Sequence, residues 1–163
     1  DCELYFDDTS SITVPEMKAK TRRLGGVECV IIDYLGLIKG STRTENRVQE
    51  VSEITRNLKI MAKELKIPVI TCAQLSRGTE AKGKSHRPAL SDLRESGSIE
   101  QDADIVMFLY RDDYYNKSAA EQTNISVTEL IVGKHRNGST GTIELLFERS
   151  MSNFRNYIKK EES

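Results

Sequence analysis

Asp33, Gln74, Lys134 and Arg136 are the residues of this chain whose types and placement could do chemistry together. Asp33 closes an apolar, β-branched run that begins at Val27, and Gln74 follows a second such run from Val69. Runs of this kind read as strands buried on both faces, in the middle of a parallel sheet. In open α/β sheets, ligands sit beyond the carboxyl ends of the strands. A carboxylate there can hold a magnesium ion, directly or through its water shell, against nucleotide phosphates. An amide there can hydrogen-bond a phosphate oxygen or an attacking water and report whether the terminal phosphate is present. Alone, Asp33 also reads as an aspartate that merely ends a strand, and Gln74 reads more readily as a strand-end amide satisfied by backbone. Two of them on one edge favour phosphate chemistry. Lys134 and Arg136 flank His135 ahead of Asn137-Gly138, a hairpin-turn sequence. A stiff hairpin can aim a planar guanidinium into a neighbouring molecule, where neutralising the charge of phosphoryl transfer is worth about 10³–10⁵ in rate. Solvated cations at a turn are the plain alternative.

The elements that must position these residues are legible in outline. Thr13-Val14-Pro15-Glu16 is a capping-box pattern with proline in the first turn, and it opens a helix that Gly25-Gly26 stops near Leu24. Leu4-Tyr5-Phe6 before it reads as a short strand. A long helix is expected from about Glu45 to Lys66, because Val48, Val51, Ile54, Leu58, Met61 and Leu65 recur every three or four residues and form one stripe. Helix between two buried strands is the βαβ unit of a parallel sheet. Ile105 to Tyr110 is expected as a third buried strand, bringing Arg111 to the same edge, where Asp112, Asp113 or Asp104 could pair with it. Ile125–Gly133 and Thr142–Phe147 read as an antiparallel hairpin at the sheet edge. Asn156 to Ser163 reads as a charged, frayed tail.

Composition narrows the function. With 163 residues, 30% charged and 37% hydrophobic, the chain has length for one domain with a sizeable core. A net charge of −1 gives no global basic field, so any nucleic-acid contact must come from local loops or a ring-shaped assembly. The stretch from Ser76 to Arg94 is such a loop. In its part from Ser76 to Pro88, Arg77, Lys82, Lys84 and Arg87 stand against Glu80 with no hydrophobic period, and no aromatic is interleaved in the loop for base stacking. A solvated charged loop is its other reading. Cys2, Cys29 and Cys72 lack paired metal-ligand spacing and read as buried thiols of a reducing compartment. No apolar run is long enough to span a bilayer, and the two histidines have no ligand-spaced companions. No G-x-x-x-x-G-K-S/T phosphate loop occurs, so the sheet either belongs to a longer phosphate-loop ATPase or does something else.

Four stretches together resemble a known family. Ile31-Ile32-Asp33-Tyr34-Leu35, Ala73-Gln74-Leu75-Ser76-Arg77, the string from Asp92 to Asp104, and Lys134-His135-Arg136-Asn137-Gly138 are similar, in order and spacing, to the motor domain of bacterial or phage DnaB-type replicative helicases. The resemblance runs from Leu4 to about Tyr157. It implies an α/β fold: a RecA-like parallel sheet flanked by helices, with an antiparallel C-terminal hairpin and a core that lacks its first strand and phosphate loop. It implies residues 1–157 as the C-terminal part of a helicase ATPase domain and 158–163 as a tail. It implies a cytoplasmic homohexamer that couples ATP and Mg2+ to 5′-to-3′ movement on single-stranded DNA, with primase and a helicase loader as partners. By position, Asp33 is similar to the Walker B aspartate that orders magnesium through water, and Gln74 to the sensor glutamine. Lys134 and Arg136 are similar to the pair that reaches a neighbour's γ-phosphate. Arg94, Glu95 and Gly97 match the DNA-backbone loop, with Arg77 just upstream. The isolated chain is expected to be inactive. Alternatives are a RecA-like recombinase or strand-exchange ATPase, and a non-enzymatic module that binds nucleic acid or a loader.

Overall fold

A computed structural model of the chain describes residues 3–41, 46–75, 86–115 and 124–157. The chain divides into two compact units: Asp1–Leu75 with Glu95–Ala103, and Ser76–Arg94 with Asp104–Ser163.

The first unit is built on helices. Helix α1 (Val14–Leu24) starts where expected, because the Glu16 carboxylate accepts from both the Thr13 backbone N–H at 2.8 Å and the Thr13 hydroxyl at 2.7 Å. It stops at Gly25-Gly26, both at positive φ. Strand β1 (Val30–Ile32) follows, then a short 3-10 turn (Leu35–Leu37), then helix α2 (Arg47–Leu65). Asn46 caps α2 by accepting from Val48 N–H at 2.9 Å. Lys66 ends it in the left-handed region, just ahead of Pro68. Strand β2 (Val69–Thr71) pairs with β1 in parallel, Ile32 opposite Thr71. Helix α3 (Gly97–Asp102) packs on α2, where the buried Thr55 hydroxyl donates to Asp102 at 2.6 Å.

The core of this unit joins Val14, Ile32, Leu35 and Ile38 to Val51, Ile54, Leu58 and Met61 of α2. Ile54 and Met61 are 1% exposed, and each side chain so buried contributes about 1.5–3 kcal/mol. The stripe expected on α2 therefore faces the core, except at its first position: Val48 is exposed.

The second unit is a four-stranded antiparallel sheet in the order β3 (Ile105–Tyr110), β4 (Ile125–His135), β5 (Gly141–Glu148) and β6 (Asn153–Asn156). A short helix α4 (Asp112–Tyr115) follows β3. A 3-10 segment, Leu90–Ser96, precedes α3 and leads into it without a break at Gly97, so Gly97 opens a helix instead of ending one.

Several sequence expectations are corrected here. Leu4-Tyr5-Phe6 is no strand: no described neighbour offers it a ladder, and all three side chains are exposed. Strands β1 and β2 are buried on one face only. Ile31 is 69% exposed and Ile70 47%, because α1 and α2 cover the Ile32 side and no described element of this unit covers the other. Cys29 and Cys72 are exposed for the same reason; they flank the short ladder on its uncovered margin. Strand β3 pairs antiparallel with β4, and among the described residues it shares no ladder with the parallel pair. Its burial alternates, with Val106 and Phe108 covered and Ile105, Met107 and Leu109 exposed. The hairpin is not the sheet edge, since β6 pairs beyond β5 through Phe154 packed on Phe147 at 4.9 Å. The Ser76–Ser85 part of the basic loop, with Arg77, Lys82 and Lys84, lies outside the described residues, as does the tail from residue 158.

Candidate functional site

Asp33 and Gln74 occupy one edge. Both follow the carboxyl ends of β1 and β2, whose parallel ladder continues as Cys72 N–H to Ile32 O at 3.0 Å and Leu35 N–H to Cys72 O at 2.9 Å. These two bonds hold the strand exits side by side, so the carboxylate and the amide emerge from neighbouring strands. Both residues are exposed. Neither side chain makes a hydrogen bond or ion pair with another described residue, which leaves the acceptor oxygens of Asp33 and the amide of Gln74 available to a ligand. Below the edge the backbone is fixed. The Glu50 and Glu53 carboxylates of α2 accept from Gly40 and Ser41 N–H at 3.1 and 2.9 Å, and the Arg47 guanidinium donates to Gly36 O. Glu50 is held below the ordinary carboxylate value by the Gly40 N–H and then by Arg47.

Arg111 follows strand β3 in the second unit. It is a structural residue: its Nε pairs with Asp113 at 3.1 Å, and its guanidinium lies over the Tyr114 and Phe147 rings. Arg149 pairs with the other oxygen of Asp113.

Lys134 and Arg136 come at the end of β4 and in the turn after it. Lys134 is half-buried opposite Val106, whereas Arg136 is exposed. Arg136 is held from two sides by Asp104: its N–H donates to Asp104 O at 2.8 Å and its Nε meets Asp104 Oδ1 at 3.3 Å. The guanidinium therefore stands on the rim and is not packed into its own core. Strand β4 is bulged at Gly133, where the register with β3 shifts between Val106 and Met107. A Cβ on Gly133 would lie 2.8 Å from the Phe108 ring, so only glycine lets that ring seat under the bulge. The bulge sets the direction in which the next residue, Lys134, leaves the strand.

Two features were not foreseen from the sequence. Asp104 as the acid that holds Arg136 is visible only once β3 and β4 pair, although its place beside a strand start was open to view. His86 stacks on Tyr115 with ring centroids 4.3 Å apart, and Tyr115 also contacts Tyr110 and Tyr114. The adjacent tyrosines were the available signal for that cluster. Burial, with a hydrogen bond to Asp112, pushes the Tyr110 phenol up to about 12.

The remaining candidates fall on the connection between the sheets. Arg94 and Glu95 lie on the 3-10 segment, and their side chains are outside what the structure describes. Gly97 is exposed, and a Cβ there would meet nothing within 4 Å.

Comparison with known proteins fits this geometry. The family described as DnaB-like helicase C terminal domain matches residues 1–156. The chain belongs to the DnaB-like helicase C-terminal domain family. Among relatives of this DnaB-like chain, the replicative DNA helicase DnaB of Geobacillus stearothermophilus is 54% identical over 161 residues, covering 96% of this chain. The replicative DNA helicase DnaC of Bacillus subtilis (strain 168) is 54% identical over the same share. The chain spans about a third of the length of these relatives, 35% in each case. Its structure is similar to the ATPase domain of G40P, with TM-score 0.82 and 45% identity over 90% of this chain and 52% of that one. It is equally similar, at TM-score 0.82 and 45% identity, to a DnaB-like replicative helicase described with its interactions with primase, of which it covers 35%. Among the described residues of the DnaB-like chain no helix is long and apolar enough to cross a membrane, and no group of three or more His, Cys, Asp or Glu could cage a metal.

Proposed function

We propose that this chain is the C-terminal part of the motor of a replicative DNA helicase, a homohexamer that couples ATP hydrolysis at subunit interfaces to 5′-to-3′ movement on single-stranded DNA and to duplex unwinding. The observation that carries the reading is the common edge at which Asp33 and Gln74 end two paired parallel strands, in a chain of this family. Residues 1–157 act as one piece of the ATPase domain, and 158–163 as a tail.

ATP with Mg2+ is the cofactor. An exposed carboxylate uncommitted to other described residues fits a cation that takes one or two carboxylates and keeps its remaining positions for water and substrate phosphates. Bound there, the ion offsets the charge of the transferring phosphoryl group. Asp33 would order the water shell of that site, and Gln74 would donate its amide N–H to a terminal-phosphate oxygen or accept from the attacking water through its carbonyl. Lys134 and Arg136 act on the triphosphate of the neighbouring subunit. Arg136 can exchange Asp104 for phosphate at little cost, since an ion pair this exposed is worth about 0–1 kcal/mol. Arg77, Arg94, Glu95 and Gly97 contact the DNA backbone. The open space at Gly97 supports this, because no described residue packs there in a way that asks for a glycine. A primase and a helicase loader are its protein partners, and the cytoplasm is its compartment.

The test is unwinding. The intact gene product, given ATP and Mg2+, should open a forked duplex with a 5′ tail and perform no strand exchange, while the isolated chain releases no phosphate above background. Strand exchange without unwinding, or robust turnover by the isolated chain, would refute the reading.

A further inference from the structure

Arg87 looks in the sequence like one more cation of the basic loop, but the structure gives it a different task. Its Nε and Nη2 donate to Glu129 Oε2 at 2.8 and 2.7 Å, and Nη2 also donates to Thr142 Oγ1 at 2.9 Å. Glu129 lies on β4 and Thr142 on β5, so one guanidinium bridges both arms of the hairpin that carries Lys134 and Arg136. The site asks for a cation on electrostatic grounds. Glu129 stands directly opposite Glu144 in the β4–β5 register, and like charges facing across a ladder repel. It asks for arginine on geometric grounds, because a planar fork can serve two acceptors on adjacent strands at fixed angles and an ammonium cannot.

The stretch that leads away from Arg87 is tied down as well. Pro88, Asp92 and Leu93 are buried, and Asp92 Oδ2 accepts from Ala89 N–H at 2.8 Å. Leu90 Cδ2 comes within 3.6 Å of where a Cβ of Gly133 would stand, one residue before Lys134. Residues 86–93 are thus fastened to the hairpin at both its arms and at its bulge, and the next residue is Arg94. The pair is half-exposed, with side chains 47% and 29% accessible, so it adds little to global stability.

We infer that Arg87 is a positioning residue: by clasping Glu129 and Thr142 it makes the Arg94 end of the DNA-contacting segment and the Arg136 hairpin one rigid body. This rests on the proposed helicase reading. Its consequence is that strand engagement at one end reaches the phosphate-directed cations at the other without passing through the first unit. Coupling through such a contact is a claim about two groups acting as one, and it needs a coupling measurement.

The experiment is a double-mutant cycle in the intact protein with Arg87→Ala, Glu129→Gln and the pair together. Each single variant should lower the ratio of DNA-stimulated to DNA-free ATPase about fivefold, at the low end of what coupled sites give. The double variant should be no worse than either single, and Arg87→Lys should fall between. Single-stranded DNA affinity should stay the same in all. In the chain itself, amide exchange at Ala89–Leu93 and at Lys134–Arg136 should quicken together in each variant. An unchanged ATPase ratio, additive losses, or equal losses of basal and stimulated rates would overturn the clasp. So would weakened DNA affinity in Arg87→Ala alone, which would make Arg87 a direct DNA contact, or exchange that quickens on one side only. A wild-type protein without DNA-stimulated turnover would fail the helicase reading instead, and the exchange result would still decide the clasp.

Discussion

In the first unit the residues proposed to face nucleotide, Asp33 and Gln74, make no hydrogen bond with other described residues. In the second, Arg136 and Arg87 are each held by a carboxylate of their own unit. The difference follows from charge and reach. A short acceptor at a strand end is aimed by its backbone, and the ladder bonds around Cys72 do that aiming. A long cation on a turn has many rotamers, and only a partner narrows them. Acceptors can therefore wait open while donors wait paired. Such pairs are weak enough at the surface to be exchanged for phosphate.

The comparison breaks most visibly at Arg136. Arg136→Ala in the intact protein should lower ATPase about 10³–10⁵-fold with the fold intact. Subunits carrying it should regain turnover when mixed with subunits carrying Asp33→Asn, because some interfaces then combine one intact side from each. No recovery on mixing, with each variant folded, would place both groups in the same subunit's site.

The packing of the two strand faces gives the next largest effect. Ile54→Ala should cost about 2–5 kcal/mol in denaturant unfolding, because Ile54 is 1% exposed in the helical core. Ile31→Thr should stay within about 0.5 kcal/mol, because Ile31 is 69% exposed. A cost at Ile31 near that at Ile54 would mean that the outer face of β1 is covered in solution. Smaller again is Gly133→Ala, where the new methyl displaces the Phe108 ring at a cost of about 1–3 kcal/mol. It should also lower ATPase in the intact protein, since the bulge aims Lys134.

The two units should also part company with pH. Glu16, Glu50 and Glu64 are held below the ordinary carboxylate value, by Thr13, by Gly40 N–H with Arg47, and by Lys18 with Arg22, and Lys20 and Thr9 hold Asp7 at about 2. All four lie in the first unit. A depressed carboxylate adds stability above its unfolded value and loses it as pH falls through the folded one, so this unit weakens below about pH 4.5. Tyr110, raised to about 12, works the other way. Its contribution to the second unit is complete below 10 and is lost as pH climbs toward 12. Glu16→Gln should flatten the acid limb of a pH–stability curve, and Tyr110→Phe the alkaline limb. Exchanged effects would contradict the assignment.

Much of this was legible in the residues. The capping box at Thr13 and Glu16, the glycine stop, the stripe on α2 and the polar ends of the two β-rich runs are local patterns, and local patterns survive into the fold. The burial of those runs was misread because Val30-Ile31-Ile32 and Ile105 to Tyr110 are apolar on both faces. Such composition says that a face can be covered, not that it is. Strand β6 was missed because Asn153-Phe154-Arg155-Asn156 has no alternation, and only Phe154 has a partner to pack on.

The sequence by itself determined which residues could act, because side-chain chemistry and spacing along a helix or strand are properties of the chain. Which groups stand together was decided only by tertiary structure. The partners of Arg87 are 42 and 55 positions away, and the partner of Arg136 is an aspartate on the far side of a strand pairing. Pairing register is set by burial and ladder geometry summed over whole strands, and no single stretch of sequence carries that sum.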